Sequence, residues 1–278
     1  MTDDIPFRAI PVDDDPVDYA YGPDSERREG VVPGAIRTFE VADPQAYPGT
    51  VRTVWVHTPE GHDHAAPADV MLFNDGWWYL DPEGAVRAGV VLDNLAHERA
   101  VPPMVSVFVD PGVFPGAAEP KNRNAEYDAF DDRYASFLLD EVLPRVAEGS
   151  ALADEPGRRG ICGGSSGGDA AFTAAWLRPD AIGKAVIFNS SFAQIPGGNP
   201  YPGLIRQTPP RSLRVFLQAA HRDIGWNAAE GNWFAENLET AAALMRAGCD
   251  ARLVVGDGGH SPNHGGVLLP DALRWLWR

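Results

Sequence analysis

Lysine is almost absent from this chain of 278 residues, which has only Lys121 and Lys184. Acidic side chains outnumber basic ones by 39 to 23, so the formal net charge is −16 at pH 7 and the isoelectric point is about 4.7. A surface of this charge repels nucleic acid and anionic lipid. We therefore expect neither a nucleic acid nor a membrane among the partners of this protein.

Cysteine is equally scarce, with Cys162 and Cys249 alone in the chain. Two cysteines indicate no disulfide framework, and neither a paired-cysteine motif nor an H-E-x-x-H motif is present. His62 and His64 flank Asp63 in a polar stretch, which we interpret as a solvated loop rather than a metal site. The residues thus predict no metal and no cofactor.

No apolar run approaches the length of a membrane span. The first residues are acidic and lack the charged-then-apolar pattern of a signal peptide, so we expect a cytoplasmic protein. Residues 1–34 are rich in Asp, Pro and Gly and hold too few apolar side chains for a separate core. They predict an arm that lies over a main domain formed by residues 35–278.

Apolar runs and alternating stretches predict strands that are followed by helices along most of the chain. The predicted strands are 36–41, 50–57, 68–74, 103–109, 184–189, 213–218 and 252–255, with one more before the serine-rich turn near residue 163. Predicted helices are 90–98, 134–146, 232–247 and 270–277, and another follows that turn. Strands alternating with helices indicate an α/β fold with a mostly parallel central sheet, helices on both faces and ligands at the carboxyl ends of the strands.

The stretch from Arg159 to Phe172 carries the strongest functional pattern. It predicts a short strand, a glycine-crowded turn that contains serine, and an alanine-rich helix that ends before Pro179. This strand–turn–helix with G-x-S-x-G at the bend is the pattern of a nucleophile elbow. Both Ser165 and Ser166 fit the pattern, although Gly168 at the closest approach of helix and strand favours Ser165.

A serine nucleophile needs a base, and the base needs an orienting acid. In α/β-hydrolases the chain order is serine, acid, histidine, each on a loop after a strand. His260 follows the last predicted strand in a glycine-rich loop, with His264 as its rival. Asp223 follows the strand that ends at Gln218, and we prefer it to Glu230 and Asp257 as the acid.

We expect two backbone amides to form the oxyanion hole. One is the amide of Ser166, which begins the helix after the elbow. The second donor is expected in the loop after an early central strand, Asp75-Gly76-Trp77, and the Trp77 amide is our candidate. The tryptophans of this stretch equally fit a role as core anchors.

Six segments, taken in order, give the chain a resemblance to the enterochelin esterase-like branch of the esterase D group of α/β-hydrolases. They are 73–76, 91–95, 123–128, 163–168, 231–233 and 256–260, and the resemblance extends over most of residues 30–278. The G-x-S-x-G-G pattern of this family places the nucleophile at Ser165, and its G-G-H motif selects His260. The resemblance implies metal-free hydrolysis of a small carboxylic ester, of the aryl, lactone or siderophore type, through an acyl-enzyme.

The resemblance also implies substrate-binding residues. Arg123 and Glu126 match a family motif near the site, where the arginine would orient an anionic or catechol-bearing substrate or pair with the glutamate to stiffen the loop. Trp226 and Trp233, on the acid loop, would wall an aromatic acyl group. Ala219-Ala220 stands where the family pattern leads us to expect Asp-Gly, which makes Asp223 the least secure member of the triad.

An acyltransferase on the same triad and a non-catalytic binding protein on a hydrolase fold are the alternative functions.

Overall fold

An eight-stranded sheet runs through the computed structural model, which describes residue 10 and residues 15–278. In the described part of the chain the strands are β1 (Ala35–Ala42), β2 (Val51–Thr58), β3 (Asp69–Asn74), β4 (Met104–Val109), β5 (Arg159–Gly164), β6 (Lys184–Phe188), β7 (Arg214–Ala220) and β8 (Asp250–Gly256). Their order across the sheet is β1-β2-β4-β3-β5-β6-β7-β8.

Only the first two strand pairs of this order are antiparallel. β1 pairs with β2 and β2 with β4 in antiparallel fashion, whereas every later pair from β4–β3 to β7–β8 is parallel. The carboxyl ends of β3, β5, β6, β7 and β8 therefore meet at one edge, where ligands bind in open α/β sheets. The predicted fold class is confirmed.

Helices cover both faces of the sheet. They are α1 (Gly76–Leu80), α2 (Ala88–His97), α3 (Arg123–Tyr127), α4 (Arg133–Ser136), α5 (Leu143–Ala147), α6 (Ser166–Leu177), α7 (Tyr201–Gln207), α8 (Trp233–Arg246) and α9 (Pro262–Leu276). A π-helical segment, Phe137–Val142, joins α4 to α5, and 3₁₀ turns span Pro23–Ser25, Pro156–Arg158 and Phe192–Gln194. None of the helices in residues 15–278 is long and apolar enough to span a bilayer.

Successive side chains of each strand point to opposite faces of the sheet, which divides the apolar core into two layers. Leu72 of β3 packs on one face in a cluster with Phe172 of α6 and Leu244 of α8. Its neighbour Phe73 faces the other way and joins Leu273 of α9. Because side chains of the parallel strands are buried on both faces, these strands read as continuous apolar runs in the sequence.

The last helix begins earlier than the sequence predicts. We expected it at 270–277, but α9 begins at Pro262, and Pro270 lies inside it. Ser261 caps the helix, because its side chain accepts a hydrogen bond from the Asn263 amide. The intervening Gly265 is a packing residue rather than a turn residue, since a Cβ there would meet the Phe188 ring at 2.6 Å.

Residues 15–34 of the predicted arm lie against the main body. The Asn94 side chain of α2 donates to the carbonyl oxygens of Asp24 and Glu26, both at 2.8 Å, and Arg274 of α9 donates to the Asp24 carboxylate at 2.7 Å. These bonds fasten the segment to one face of the sheet. Residues 1–9 and 11–14 of the predicted arm lie outside the described residues.

A fully buried ion pair joins the antiparallel part of the sheet to the helix α3. Arg52 of β2 donates to Glu126 at 2.6 Å and 2.9 Å, and neither side chain is exposed to solvent. The Asn122 side chain also donates to Glu126, at 2.8 Å. Removing one partner of such a pair leaves a buried charge without compensation.

We therefore expect Arg52→Met to lower the free energy of unfolding by about 3–5 kcal/mol, as measured by urea denaturation. The control is Arg178→Met, which removes a pair with Asp180 whose side chains are 31% and 65% exposed. An exposed pair of this kind contributes at most about 1 kcal/mol. Equal losses from the two variants would contradict the assignment of a stabilising role to the buried pair.

Candidate active site

Ser165 sits at a sharp bend between β5 and α6. Its backbone has φ 58° and ψ −132°, a conformation that costs a non-glycine residue of the order of 1–3 kcal/mol. The Ser165 amide donates to the Phe188 carbonyl at 2.9 Å, and the Ser165 carbonyl accepts from the Gly168 amide at 2.9 Å. The bend is thus pinned on both sides, which holds the strained residue in place.

Glycine on either side of the bend is a steric requirement. A Cβ at Gly163 would overlap the carbonyl oxygen of Gly167, and a Cβ at Gly167 would lie 2.7 Å from a carboxylate oxygen of Asp75. Strand β5 and helix α6 therefore approach each other more closely than side chains allow. This geometry is the one expected of a nucleophile elbow.

The two candidate serines have different environments. Ser166 is the first residue of α6, is 2% exposed, and its hydroxyl accepts a hydrogen bond of 3.1 Å from the Asn124 side chain. Ser165 occupies the bend and lines a cavity of about 230 Å³. Ser165 is therefore the serine with a hydroxyl open to the cavity. Ser166 presents its amide at the positive end of α6, where the first amides of a helix have no acceptor within it.

His260 and Asp223 come together although 37 positions separate them. Nδ1 of His260 lies 2.6 Å from Oδ1 of Asp223. The Asp223 side chain is fully buried and its Oδ1 also accepts from the Ile224 amide at 2.8 Å, whereas the His260 side chain is 29% exposed. With Nδ1 engaged by the carboxylate, Nε2 remains for a reacting group.

His260 lines the same cavity as Ser165. Among the described residues no hydrogen bond joins the two side chains directly. A catalytic hydrogen bond of this kind is often long before substrate binds and shortens in the complex.

The rival histidine is part of the interior. His264 is 4% exposed and its Nδ1 lies 2.7 Å from Nε2 of Gln218, which packs it behind the loop. Burial lowers the pKa of His264, since the charged imidazolium is poorly solvated there. The structure thus leaves His260 as the imidazole at the cavity.

Backbone hydrogen bonds join the acid loop to the histidine loop. The amides of His221 and Arg222 donate to the carbonyl oxygens of Gly256 and Gly258, at 2.9 Å and 3.0 Å. These bonds lie just before Asp223 in one loop and just before His260 in the other, so they hold the two loops together.

The two tryptophans of the acid loop lie in different places. Trp233 is 5% exposed and packs edge-on against the His260 ring, with 4.9 Å between the ring centroids. It supports the imidazole and does not line the cavity beside Ser165. Trp226 lines a separate cleft of about 260 Å³. The predicted aromatic wall is therefore not formed by these residues in this structure.

Other aromatic residues wall the cavity instead. Its lining, apart from Ser165 and His260, consists of Asp75, Trp78, Tyr79, Arg123, Gly164, Phe188, Asn189, Ser261 and Pro262. Sequence reasoning missed Phe188, the last residue of β6, and Asn189, which follows it, next to the elbow strand. The rule that ligands bind at the carboxyl ends of parallel strands points to both of them.

The Trp77 amide does not serve as a free oxyanion donor. It donates to Oδ1 of Asp110 at 3.1 Å, and Trp77 is not among the residues that line the cavity. The choice of Trp77 is thus wrong for this conformation. Burial raises the pKa of Asp110, and the nearby Asp75 charge raises it further, while the bond from Trp77 opposes both.

Arg123 and Glu126 do not pair with each other. Arg123 forms a bidentate pair with Asp75, Nε–Oδ1 at 2.5 Å and Nη2–Oδ2 at 2.8 Å, and borders the cavity. Glu126 is 1% exposed and pairs with Arg52, so it is a structural residue rather than a substrate contact. The pair of Arg123 and Asp75 ties α3 to the loop after β3.

Within the part of the chain that the structure describes, no three histidine, cysteine, aspartate or glutamate side chains converge as a metal site would require. A strained, open serine, an imidazole and a buried carboxylate meet at the carboxyl edge of the sheet, which is a set suited to acyl transfer.

Solved structures share this fold. The enterobactin esterase from Shigella flexneri, solved in the presence of enterobactin, is 21% identical with a TM-score of 0.72 over 92% of this chain and 61% of its own. The ferric enterobactin esterase from Salmonella typhimurium is 20% identical, with a TM-score of 0.70 over 91% and 60%. This chain thus spans about 60% of the length of these enterobactin esterases.

The feruloyl esterase module from Clostridium thermocellum, complexed with sinapinate, is similar over more of its length. It is 14% identical, with a TM-score of 0.66 over 94% of both chains. At such low identities these likenesses show the fold.

Among curated proteins, none matches the sequence. A family model does match: the one described as "Putative esterase" covers residues 46–260, well over half of the chain, including both the elbow and His260. The chain therefore belongs to this esterase family and has the α/β-hydrolase fold.

Proposed function

We propose that Ser165, His260 and Asp223 form the catalytic triad of this esterase and that the reaction passes through an acyl-enzyme. The observation that carries the proposal is the position of His260. It bonds to the buried Asp223 carboxylate through Nδ1 and borders the cavity into which the elbow serine opens. The base is thus bonded to its orienting acid, and it borders the same cavity as the nucleophile, as serine catalysis requires.

In the first half-reaction, Ser165 Oγ attacks the ester carbonyl carbon while His260 Nε2 takes the hydroxyl proton. The Ser166 amide donates to the oxyanion of the tetrahedral intermediate. The C–O bond to the leaving group breaks as His260 returns the proton to the departing alcohol, which leaves Ser165 acylated. Asp223 keeps the imidazole in the required tautomer and stabilises its protonated form.

In the second half-reaction, water attacks the acyl carbon and gives its proton to His260. The second tetrahedral intermediate then collapses, the acid product leaves, and the proton returns to Ser165 Oγ. The overall reaction consumes one ester and one water and releases one alcohol and one carboxylic acid.

We propose an aryl, lactone or siderophore-type ester as the substrate class. The residues that line the cavity include Trp78, Tyr79 and Phe188, and aromatic side chains are the kind that stack on an aromatic acyl group. Arg123 also borders the cavity, as a bidentate pair with Asp75, and its guanidinium is the kind of group that binds phenolic or carboxylate oxygens. Two structural neighbours were solved with enterobactin and with sinapinate, which supports this choice.

Ser165→Ala should lower kcat for p-nitrophenyl acetate by at least about 10⁴-fold, because no other hydroxyl occupies the bend. The comparison variant is Ser166→Ala, which keeps its backbone amide and should lose no more than about tenfold. Initial rates and labelling by a fluorophosphonate probe measure both variants. A labelled, active Ser165→Ala protein would refute the assignment of the nucleophile.

Asp223→Asn should slow turnover by about 10²–10⁴-fold, less than His260→Ala, since the acid orients the base but exchanges no proton with substrate. The matched control is Asp257→Asn, which alters a 30%-exposed carboxylate near the same loops and should retain near-normal kcat. Steady-state kinetics on purified variants decide the ranking. A larger loss of kcat in Asp257→Asn than in Asp223→Asn would show that Asp223 is not the orienting acid.

Trp78→Ala should reduce kcat/KM for a feruloyl ester by about 5–30-fold while an acetyl ester changes much less, because only the aromatic acyl group loses a stacking partner. Trp77→Ala is the matched control, as that side chain is 48% exposed and away from the cavity. Parallel kinetics on both esters give the selectivity. An equal loss on the two esters would argue against an aromatic acyl site at Trp78.

A further inference from the structure

A short segment near the N-terminus crosses the turn that carries His260. We call Asp15–Tyr19 the strap and Gly256–Ser261 the histidine turn. The Tyr19 ring packs edge-on against His264, with 4.9 Å between the ring centroids. The strap therefore contacts the first turn of the helix that follows the histidine turn.

The strap lies directly on the backbone of the histidine turn. A Cβ at Gly258 would be 2.9 Å from the Tyr19 hydroxyl and 2.9 Å from a methyl carbon of Val17. Gly258 also has φ +94°, which favours glycine for conformational reasons. The lack of space for a Cβ and the positive φ both require glycine at position 258. The histidine turn and the strap are therefore closely packed there.

The strap also reaches the acid loop. Arg222 donates to the carbonyl oxygen of Asp15 at 2.9 Å, while its own amide donates to Gly258. A cleft of about 260 Å³ lies between the strap and Trp226. One segment thus touches the loops that carry both His260 and Asp223.

The histidine turn needs such support because of its composition. It contains Gly256, Gly258 and Gly259, and glycine loses more conformational freedom on ordering than any other residue. The His260 side chain is 29% exposed, and its packing partners on the acid loop are Asp223 and Trp233. A displacement of about 1 Å at a reacting group costs up to about 100-fold in rate.

We propose that the strap is a positioning element for catalysis, in which Val17 and Tyr19 hold the histidine turn so that His260 stays bonded to Asp223 and in reach of Ser165. This inference rests on the proposed triad and adds residues about 240 positions before the histidine to the machinery that orients it. The strap residues contact neither of the reacting groups, Ser165 Oγ and the ester carbonyl. Their effect passes through the turn.

The test is Tyr19→Ala in the full chain. We expect kcat for p-nitrophenyl acetate to fall about tenfold, with KM within about twofold of the parent, because orientation of the base is lost and substrate binding is not. Tyr19→Phe keeps the ring on His264 and should restore most of kcat. Glu29→Ala, an exposed side chain of the N-terminal segment that lies outside the strap, is the matched control and should match the parent enzyme.

The labelling rate of Ser165 by a fluorophosphonate gives a second readout, which should fall in parallel with kcat. If Tyr19→Ala does not fold, Val17→Ala is tested by the same measurements and should show the same split between kcat and KM. Parent-like kcat and labelling in the folded strap variant would overturn the proposal, as would a rise in KM alone. His260→Ala separates the two ideas, because an active His260→Ala would overturn the triad itself.

Discussion

The structure depends on a steric constraint, the close approach of β5 and α6 at Ser165. No side chain fits at Gly163 or Gly167, so the chain must turn there within a few residues. This turn raises the serine hydroxyl above the sheet edge and places the helix N-terminus beneath it. Every other part of the site is positioned relative to that bend: the Ser165 amide bonds to the end of β6, and the cavity is bounded by the ends of neighbouring strands.

Three acidic side chains around this bend are each paired with a basic side chain. Glu126 and Arg52 are wholly buried and join α3 to β2, while Asp75 and Arg123 join α3 to the loop beside the cavity. Asp223 is buried too, but its partner is the partly exposed His260. The first two pairs join elements of the scaffold, whereas the third orients the imidazole that we propose as the catalytic base.

Much of the fold and part of the site could be predicted from sequence. Buried parallel strands are recognisable as apolar runs, and the chain order of serine, acid and histidine selects Asp223 and His260, which the structure brings within hydrogen-bond distance. Glu126 was misplaced because its partner lies 74 positions away and no local pattern connects them. The Trp77 amide was misassigned because the direction of an amide depends on a tertiary contact, here with Asp110.

The left-handed backbone of Ser165 has an evolutionary consequence. A glycine at this position would relieve the strain and remove the hydroxyl at the same time, so under the proposed triad the more stable chain would be the inactive one. Selection for turnover would then be what keeps a hydroxyl at this position. Lineages of this fold that have been freed from hydrolysis should therefore drift toward glycine at the bend before they lose the residues around it.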